Sequence, residues 1–444
     1  MDKRALNLDD IIGDPDFYAD AIKKIFNKKN ERNQAFMEAQ DGVSYIGTFI
    51  LHRGLSRALA KTVSKGEYRF SPVNLWSLRL GNKTRQAHRS KFTDQIVGSV
   101  VYRVVSNNAQ VMGMPGLYSY LPGTSNYAAM RDFARYVRDH RRDRKDPRQR
   151  GLFVLQSDFE KYGDNLPVHP DAYIWTVLRD VLGIDGNDDI SDTAWSLVED
   201  LVRPTVRDSD GFDFTRLYGI PMGVPIVPIV NNLAASPLDE LFSQWDGAFY
   251  ARFNDDFLFA HPDRSVLSEA DEKVEELLEP LGVRRNRKKN ILSYFNGAGR
   301  QCLTDPQFRG CSRIDFLGLS VSFDGTIGPG PKRIARLMTE VCKRLDRTGR
   351  VLDGLPLDDR TRHLVNVTNN MLAPDHVLSV LSVKGILRDT TDRNCLRQID
   401  HRIAMKLVQV ATGRTGARGF RQLPTRMLRQ RYGLTSLVQR RNAM

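Results

Sequence analysis

The chain has 444 residues, 41% of them hydrophobic and 27% charged, enough for two or three domains with sizeable cores. No apolar run reaches the roughly 20 residues that a membrane-spanning helix needs, the N-terminal segment MDKRALNLDDIIGDPDF lacks the apolar centre of a secretory signal, and Cys302, Cys311, Cys342 and Cys395 have no C-x-x-C spacing, so reduced thiols in a cytoplasmic protein are expected. The net charge is +13, and from Pro331 onward 23 Lys and Arg face 9 Asp and Glu, so the last quarter carries the whole excess and points to a polyanion, most simply nucleic acid.

In chain order, Asp14–Asn33 reads as an amphipathic helix with Asp14 as N-cap and Pro15 in its first turn, and Ile46–Ser64 as a second. Arg85–Val105 starts basic and turns apolar at helical spacing; Tyr118–Ser125 is a turn-rich loop, and a helix follows from Asn126 to about Arg142. Arg138–Arg150 is mostly basic and contains Pro147, which predicts an exposed linker. Gly151–Asp158 reads as a short buried strand ending in a carboxylate, Pro170–Leu182 and Thr193–Val202 as helices, and Gly219–Pro228 as a turn opening a helix to about Trp245. Tyr250–Ala260, YARFNDDFLFA, reads as a β-hairpin with Asn254 and Asp255 at its tip. Arg264–Leu278 is a helix, Arg284–Asn290 a basic loop entering a strand at Ile291, Arg313–Ser322 a strand pair, and everything beyond Pro329 helical and basic.

Two adjacent carboxylates between apolar arms repel each other and are costly to bury, so they call for a cation. Asp158 ends one apolar strand and Asp255 tops the hairpin. If the strands are neighbours, the two can share divalent ions. Mg²⁺ is usually held by one or two carboxylates plus substrate phosphates, and a pair of such ions stabilises the attacking and leaving oxygens of a displacement at phosphorus. Asp256 would face the other way on a regular strand, which gives it a supporting role.

Taken together these segments resemble a bacterial reverse transcriptase of the group II intron-like and retron-like kind. LQSDFEKYGDNLPV (155–168) is similar to the first palm motif, GIPMGVPIVPIVNNLAASPLDELF (219–242) to the second, YARFNDDFLFA to the Y-x-D-D hairpin, LGVRRNRKKNILSYF (281–295) to the fourth, and IDFLGLSVS (314–322) to the primer grip. FTDQIVGSVVYRVV and YSYLPGTSNYAAM resemble the fingers motifs. The resemblance implies an α+β right-hand polymerase: an N-terminal helical extension (1–84), fingers (85–150), a palm with a small antiparallel sheet (151–325) and a basic helical thumb (326–444). It implies Asp158, Asp255 and Asp256 as ligands of two Mg²⁺ ions, with Mn²⁺ as a substitute, and Lys289 as the acid near the pyrophosphate. Tyr162, Gly163, Pro221, Gly223, Lys91 and Arg89 would line the nucleotide site, with Gly219–Gly223 letting backbone approach template and nucleotide, and Leu317 and Gly318 would support the primer end. Partners would be dNTPs, an RNA template or structural RNA and the DNA product; homo-oligomerisation is left open.

The departures matter. The fifth residue after Asp158, where the family usually carries Phe or Tyr against a ribose 2′-OH, is Gly163, with Tyr162 just before it, so weaker discrimination between dNTPs and NTPs is expected. Leu121 and Thr124 stand where the fingers usually carry arginines, which leaves Lys91, Arg89 and Arg85 as triphosphate contacts. Retron and diversity-generating signatures are absent, and what remains resembles the stand-alone "unknown group" enzymes of antiphage defence and abortive infection. On Pro331–Arg347, Ile334, Leu337, Met338, Val341 and Leu345 form an apolar face, while Lys332, Arg333, Arg336, Lys343 and Arg344 can track a phosphate backbone. The rival readings are an RNA-dependent RNA polymerase, a template-independent or protein-primed polymerase, and an RNA-binding scaffold whose carboxylates are dispensable.

Overall fold

A computed structural model describes residues 4–31, 34–39, 42–80, 83–144, 146, 151–183, 190–376 and 383–444. The fold is α+β. The chain divides into two compact units, one of Met1–Ser125 with Leu155–Ile291 and the other of Asn126–Val154 with Leu292–Met444.

The first unit is built around helix Phe92–Met112, whose Ile96, Val97, Val100, Val101 and Val104 are all buried; a helix apolar on most sides belongs in a core. Helix Pro15–Asn30 starts as its sequence predicts, the Asp14 carboxylate accepting from the Asp16 N–H. Two expected helices are each broken in two. The 46–64 stretch is Tyr45–Ile50 followed by His52–Ser64, and the stretch after the Gly219–Pro228 turn is Val227–Ala234 followed by Ser236–Ser243. In the second case Pro237 has no N–H for the Leu233 carbonyl, so the α-helical ladder cannot run through. The basic front of 85–105 is not helical: Lys83–Arg89 is a strand, antiparallel to Val73–Leu80, which is joined in parallel by Thr205–Arg207 and then by Asp213–Thr215.

The hairpin forms as read. Phe249–Phe253 pairs with Asp256–His261, the Phe253↔Asp256 pair leaving Asn254 and Asp255 as a two-residue loop. Asn254 has φ 61°, a conformation Asn tolerates better than most residues. Phe257 and Phe259 are buried against Phe242, at ring-centroid distances of 5.6 and 4.6 Å. Strand Asp256–His261 is also hydrogen-bonded beside strand Leu152–Ser157, whose last three residues belong to this unit.

In the second unit, Arg309–Cys311 runs parallel to Ile291–Phe295, so this sheet also holds a parallel pair beside the antiparallel hairpin. Arg313–Phe316, Leu319–Ser322 and Ile327–Pro329 form an antiparallel meander. From Pro331 on, the regular elements among the described residues are all helices, around a core containing Leu337, Val341, Leu345, Leu364, Leu396 and Leu407. Residues 145 and 147–150 of the expected linker lie outside the described residues. Among the described residues no helix is long and apolar enough to cross a membrane.

Candidate active site

Asp158 follows the strand that lies beside the hairpin, so strand pairing carries this acid toward Asp255 and Asp256. The basic loop is laced to the same segment: the Asn286 N–H donates to the Asp158 carbonyl at 2.8 Å and the Glu160 N–H to the Arg284 carbonyl at 2.7 Å. Buried Arg285 fixes the loop from below, donating through Nε to Ser157 Oγ at 2.9 Å and through Nη2 to Asp271 and Asn290. Lys289 Nζ then donates to Asp158 Oδ2. That bond holds the Lys289 ammonium above its ordinary pKa against desolvation, and the charges of Asp158, Asp256 and Asp255 all reinforce it. Asp158 is buried, and its Oδ1 has no partner among the described residues. Asp255 and Asp256 are half-buried.

Beneath the hairpin lies a polar framework that the sequence reading missed. Arg252 is 0% exposed and Asp239 1%, and the guanidinium grips the carboxylate through Nε and Nη2. Burial alone would push the Arg252 pKa down; the Asp239 carboxylate overrides it and keeps the guanidinium charged. Arg252 also donates to the carbonyls of Asn254 at 3.0 Å and Asn232 at 2.9 Å, and the Tyr250 hydroxyl donates to Asp239 at 2.8 Å. From the fingers-like segment, Ser119 Oγ donates to Asn232 Oδ1 at 2.7 Å and accepts from the Asn254 N–H at 2.9 Å, while Asn232 Nδ2 donates to the Ser119 carbonyl. Asn254 Nδ2 donates to Asp255 Oδ1 at 2.8 Å. A left-handed Asn254 and the carboxylate after it are thus anchored on buried groups. The available signal was a lone arginine in an apolar strand and a lone aspartate in an apolar helix.

The other expected site residues are placed as follows. Tyr162 is fully buried, its hydroxyl donating to the Asn231 carbonyl at 2.7 Å, and burial pushes the phenol pKa up. Gly163 is half-buried, and a Cβ there would meet Asn231 Nδ2 at 4.0 Å. Pro221 is buried and Gly223 exposed. The close approaches that the turn glycines permit are to the protein's own backbone: a Cβ on Gly219 (φ 77°) would lie 2.6 Å from the Asp164 carbonyl oxygen and one on Gly223 (φ 117°) 2.4 Å from that of His88. Lys91 is exposed at the N-cap of helix Phe92–Met112, and Arg89 lies over the Trp76 ring at 3.7 Å. The Arg85 side chain is outside the described residues. Tyr120, half-exposed with φ 57°, has its phenol pKa raised by burial and then by the Asp255 charge, which places an aromatic ring at the hairpin tip.

In the second unit, Leu317 and Gly318, at φ 51° and 76°, form the two-residue loop of the 313–322 hairpin, and their carbonyls accept from Asn126 Nδ2 and the Gly330 N–H. On helix Pro331–Val351 the apolar face is inward, with Ile334 only partly buried. Lys332, Arg336 and Lys343 are exposed, whereas Arg333 is held 3.5 Å from Asp389 and Arg344 is half-buried.

His88 supplies a pH-dependent element. Its Nε2 accepts from Arg216 at 3.2 Å, so Nδ1 carries the hydrogen and faces the Met222 carbonyl at 3.3 Å. Burial, with Arg216 adding to it, lowers its pKa from 6.5 to about 4, against the raising influence of the Met222 carbonyl and Asp164. Between those values the unfolded chain binds a proton the folded chain refuses, so stability is lost as pH falls through that window. Thermal unfolding from pH 7 to 4.5 is expected to show His88→Gln losing less than the native chain, by on the order of 1 kcal/mol; parallel curves would refute this.

No protein-family model matches the chain, and no curated protein matches it. Similar solved structures include telomerase from Candida albicans in complex with the TWJ fragment of telomeric RNA, with 15% identity, a TM-score of 0.42, and 79% of this chain and 62% of that one covered. Apo telomerase from Candida tropicalis has 12% identity, a TM-score of 0.46, and 83% and 70% covered. The RNA-dependent RNA polymerase of a human picobirnavirus has 13% identity, a TM-score of 0.44, and 84% and 64% covered. This chain spans less than two thirds of the Candida albicans and picobirnavirus proteins. With TM-scores below 0.5, none of these likenesses bears on function, which rests on this chain's own residues.

Proposed function

We propose that this chain is a right-hand nucleic-acid polymerase of the reverse-transcriptase kind, joining the α-phosphorus of a dNTP to a primer 3′-OH with release of pyrophosphate. The observation that carries the reading is that the charges of Asp158, Asp255 and Asp256 all reach the Lys289 ammonium. Acids are concentrated at a strand end and a hairpin tip beside the lysine that offsets their charge, and such an arrangement suits phosphoryl transfer better than fold stability.

The residues fit Mg²⁺ in kind. Asp158 and Asp255 offer carboxylate oxygens, and Asp158 Oδ1 is buried without a partner among the described residues. Among the described residues no three His, Cys, Asp or Glu side chains are already gathered to hold a metal, so the substrate phosphates would complete the coordination. Bound there, the ions would polarise the phosphoryl oxygens and stabilise the attacking and leaving oxygens. The chain's own part is to fix Asp255 through Asn254, to hold Lys289 protonated as a proton donor to the leaving pyrophosphate, and to present Lys332, Arg336 and Lys343 to a nucleic-acid backbone. The resemblance to stand-alone enzymes supports a role in antiphage defence.

Primer extension tests the reading. The full chain is expected to extend a DNA primer on an RNA template with dNTPs and Mg²⁺, to stop on addition of EDTA, and to resume with excess Mg²⁺. No extension with either nucleotide set, in Mg²⁺ or Mn²⁺, on templated or untemplated primers, would overturn it.

A further inference from the structure

The loop that carries Lys289 is closed on itself by one side chain. Arg285 stands at its start and Asn290 at its end, and Arg285 Nη2 donates to Asn290 Oδ1 at 2.6 Å. Between them Arg287–Lys289 make a single 3₁₀ turn whose three residues are exposed. The same guanidinium reaches the acid-bearing segment. Arg285 Nε donates to Ser157 Oγ at 2.9 Å, one residue before Asp158, and the Arg285 backbone forms an antiparallel bridge with Phe159, one residue after it. Helix Arg264–Leu278 anchors the cation, through Asp271, which accepts from Nη2, and Glu275, 3.8 Å from Nη1. Arg285 is 6% exposed, so its charge is balanced by these groups rather than by water.

Lys289 needs such a support. Its side chain is 63% exposed, and imposing one orientation on a lysine costs up to about 2 kcal/mol of rotamer freedom. A guanidinium is a planar fork that bonds several acceptors at once in fixed directions. Arg285 therefore relates the residue before the acid to the residue after the lysine through one rigid group. We infer that Arg285 is a positioning residue, a clasp from Ser157 to Asn290 that keeps the Lys289 ammonium on the Asp158 carboxylate. What the ammonium does there rests on the nucleotidyl-transfer reading; how it is held does not.

The test uses the full chain, free of divalent ions, and acetic anhydride as an amine-acylating probe, with labelling of each lysine read by mass spectrometry. Lys288, exposed on the same turn, is the internal control. In the native protein Lys289 is expected to label several-fold more slowly than Lys288. Asn290→Ala cuts the clasp at its lysine end, and Arg285→Lys keeps the charge beside Asp271 without the fork. Both should bring Lys289 to the labelling rate of Lys288, with melting temperatures within a few degrees of the native value. In single-nucleotide primer extension with Mg²⁺, Asn290→Ala should lower kcat about tenfold and leave the dNTP KM unchanged. On a Lys289→Met background it should cost no more than about a further twofold, because its effect passes through the lysine. Lys289 labelling that stays native in both variants, or losses that multiply in the double variant, overturns the clasp. Labelling that follows the clasp in a protein that extends no primer leaves the clasp standing and sinks the polymerase reading, whereas primer extension with unchanged labelling does the reverse.

Discussion

Asp158→Asn is expected to abolish nucleotidyl transfer and leave the melting temperature within a few degrees of the native value. The substitution keeps the side chain's shape in a buried position, so no cavity opens. Its ion-pair partner, Lys289, has a side chain that is 63% exposed and can return to water, so breaking the pair strands no buried charge. What is removed is the negative charge of a buried acid whose second oxygen has no partner among the described residues, beside a lysine that the charges of Asp255 and Asp256 also reach. Loss of one preorganised electrostatic group costs about 10²–10³ in rate, and a metal ligand should cost at least as much. Asp255→Asn should behave alike, since its contact to Asn254 Nδ2 at 2.8 Å is retained by an amide oxygen. Single-turnover extension measured beside thermal melting separates the outcomes. A stable variant that still extends primers within tenfold of the native rate would remove Asp158 from the chemistry, and a poorly folded one would make it a structural acid.

What the sequence disclosed was local. YARFNDDFLFA announces a hairpin because its aromatic residues alternate and its turn residues sit together, and Asp14–Pro15 announces a helix start for similar reasons. The strand Val73–Leu80 is poorly marked because Leu75 and Trp76 break its alternation; it pairs along most of its length with the neighbouring Lys83–Arg89, and Thr205–Arg207, far along the chain, joins only its first two residues. Pro237 was visible, but nothing nearby said that the helix would break at Ala235 and resume. At the candidate site, the acids stand out in the sequence because they end or interrupt apolar strands. Arg252 does not, because it reads as a stray charge until Asp239 and the Asn254 carbonyl are seen around it.

Arg252→Met should be the most destabilising single change in the hairpin, by about 3–5 kcal/mol, the usual consequence of leaving a buried charge without its partner. Asp239 would keep only the Tyr250 hydroxyl, and the carbonyls of buried Asn232 and half-buried Asn254 would lose their guanidinium donors. On a chain of this size the loss corresponds to a fall of roughly 4 °C in melting temperature. The double variant Arg252→Met with Asp239→Leu removes both charges together and should recover most of that stability, because apolar replacements of a buried pair are often neutral. It should not recover polymerisation. Asn254 would still lack the donor that holds its carbonyl, and with φ at 61° it would relax and carry Asp255 out of register with Asp158. Stability restored with activity still down marks the pair as a positioning device for the hairpin acids. Recovery of both would reduce it to packing, and a single variant that melts within 1 °C of the native protein would mean that Asp239 finds another partner.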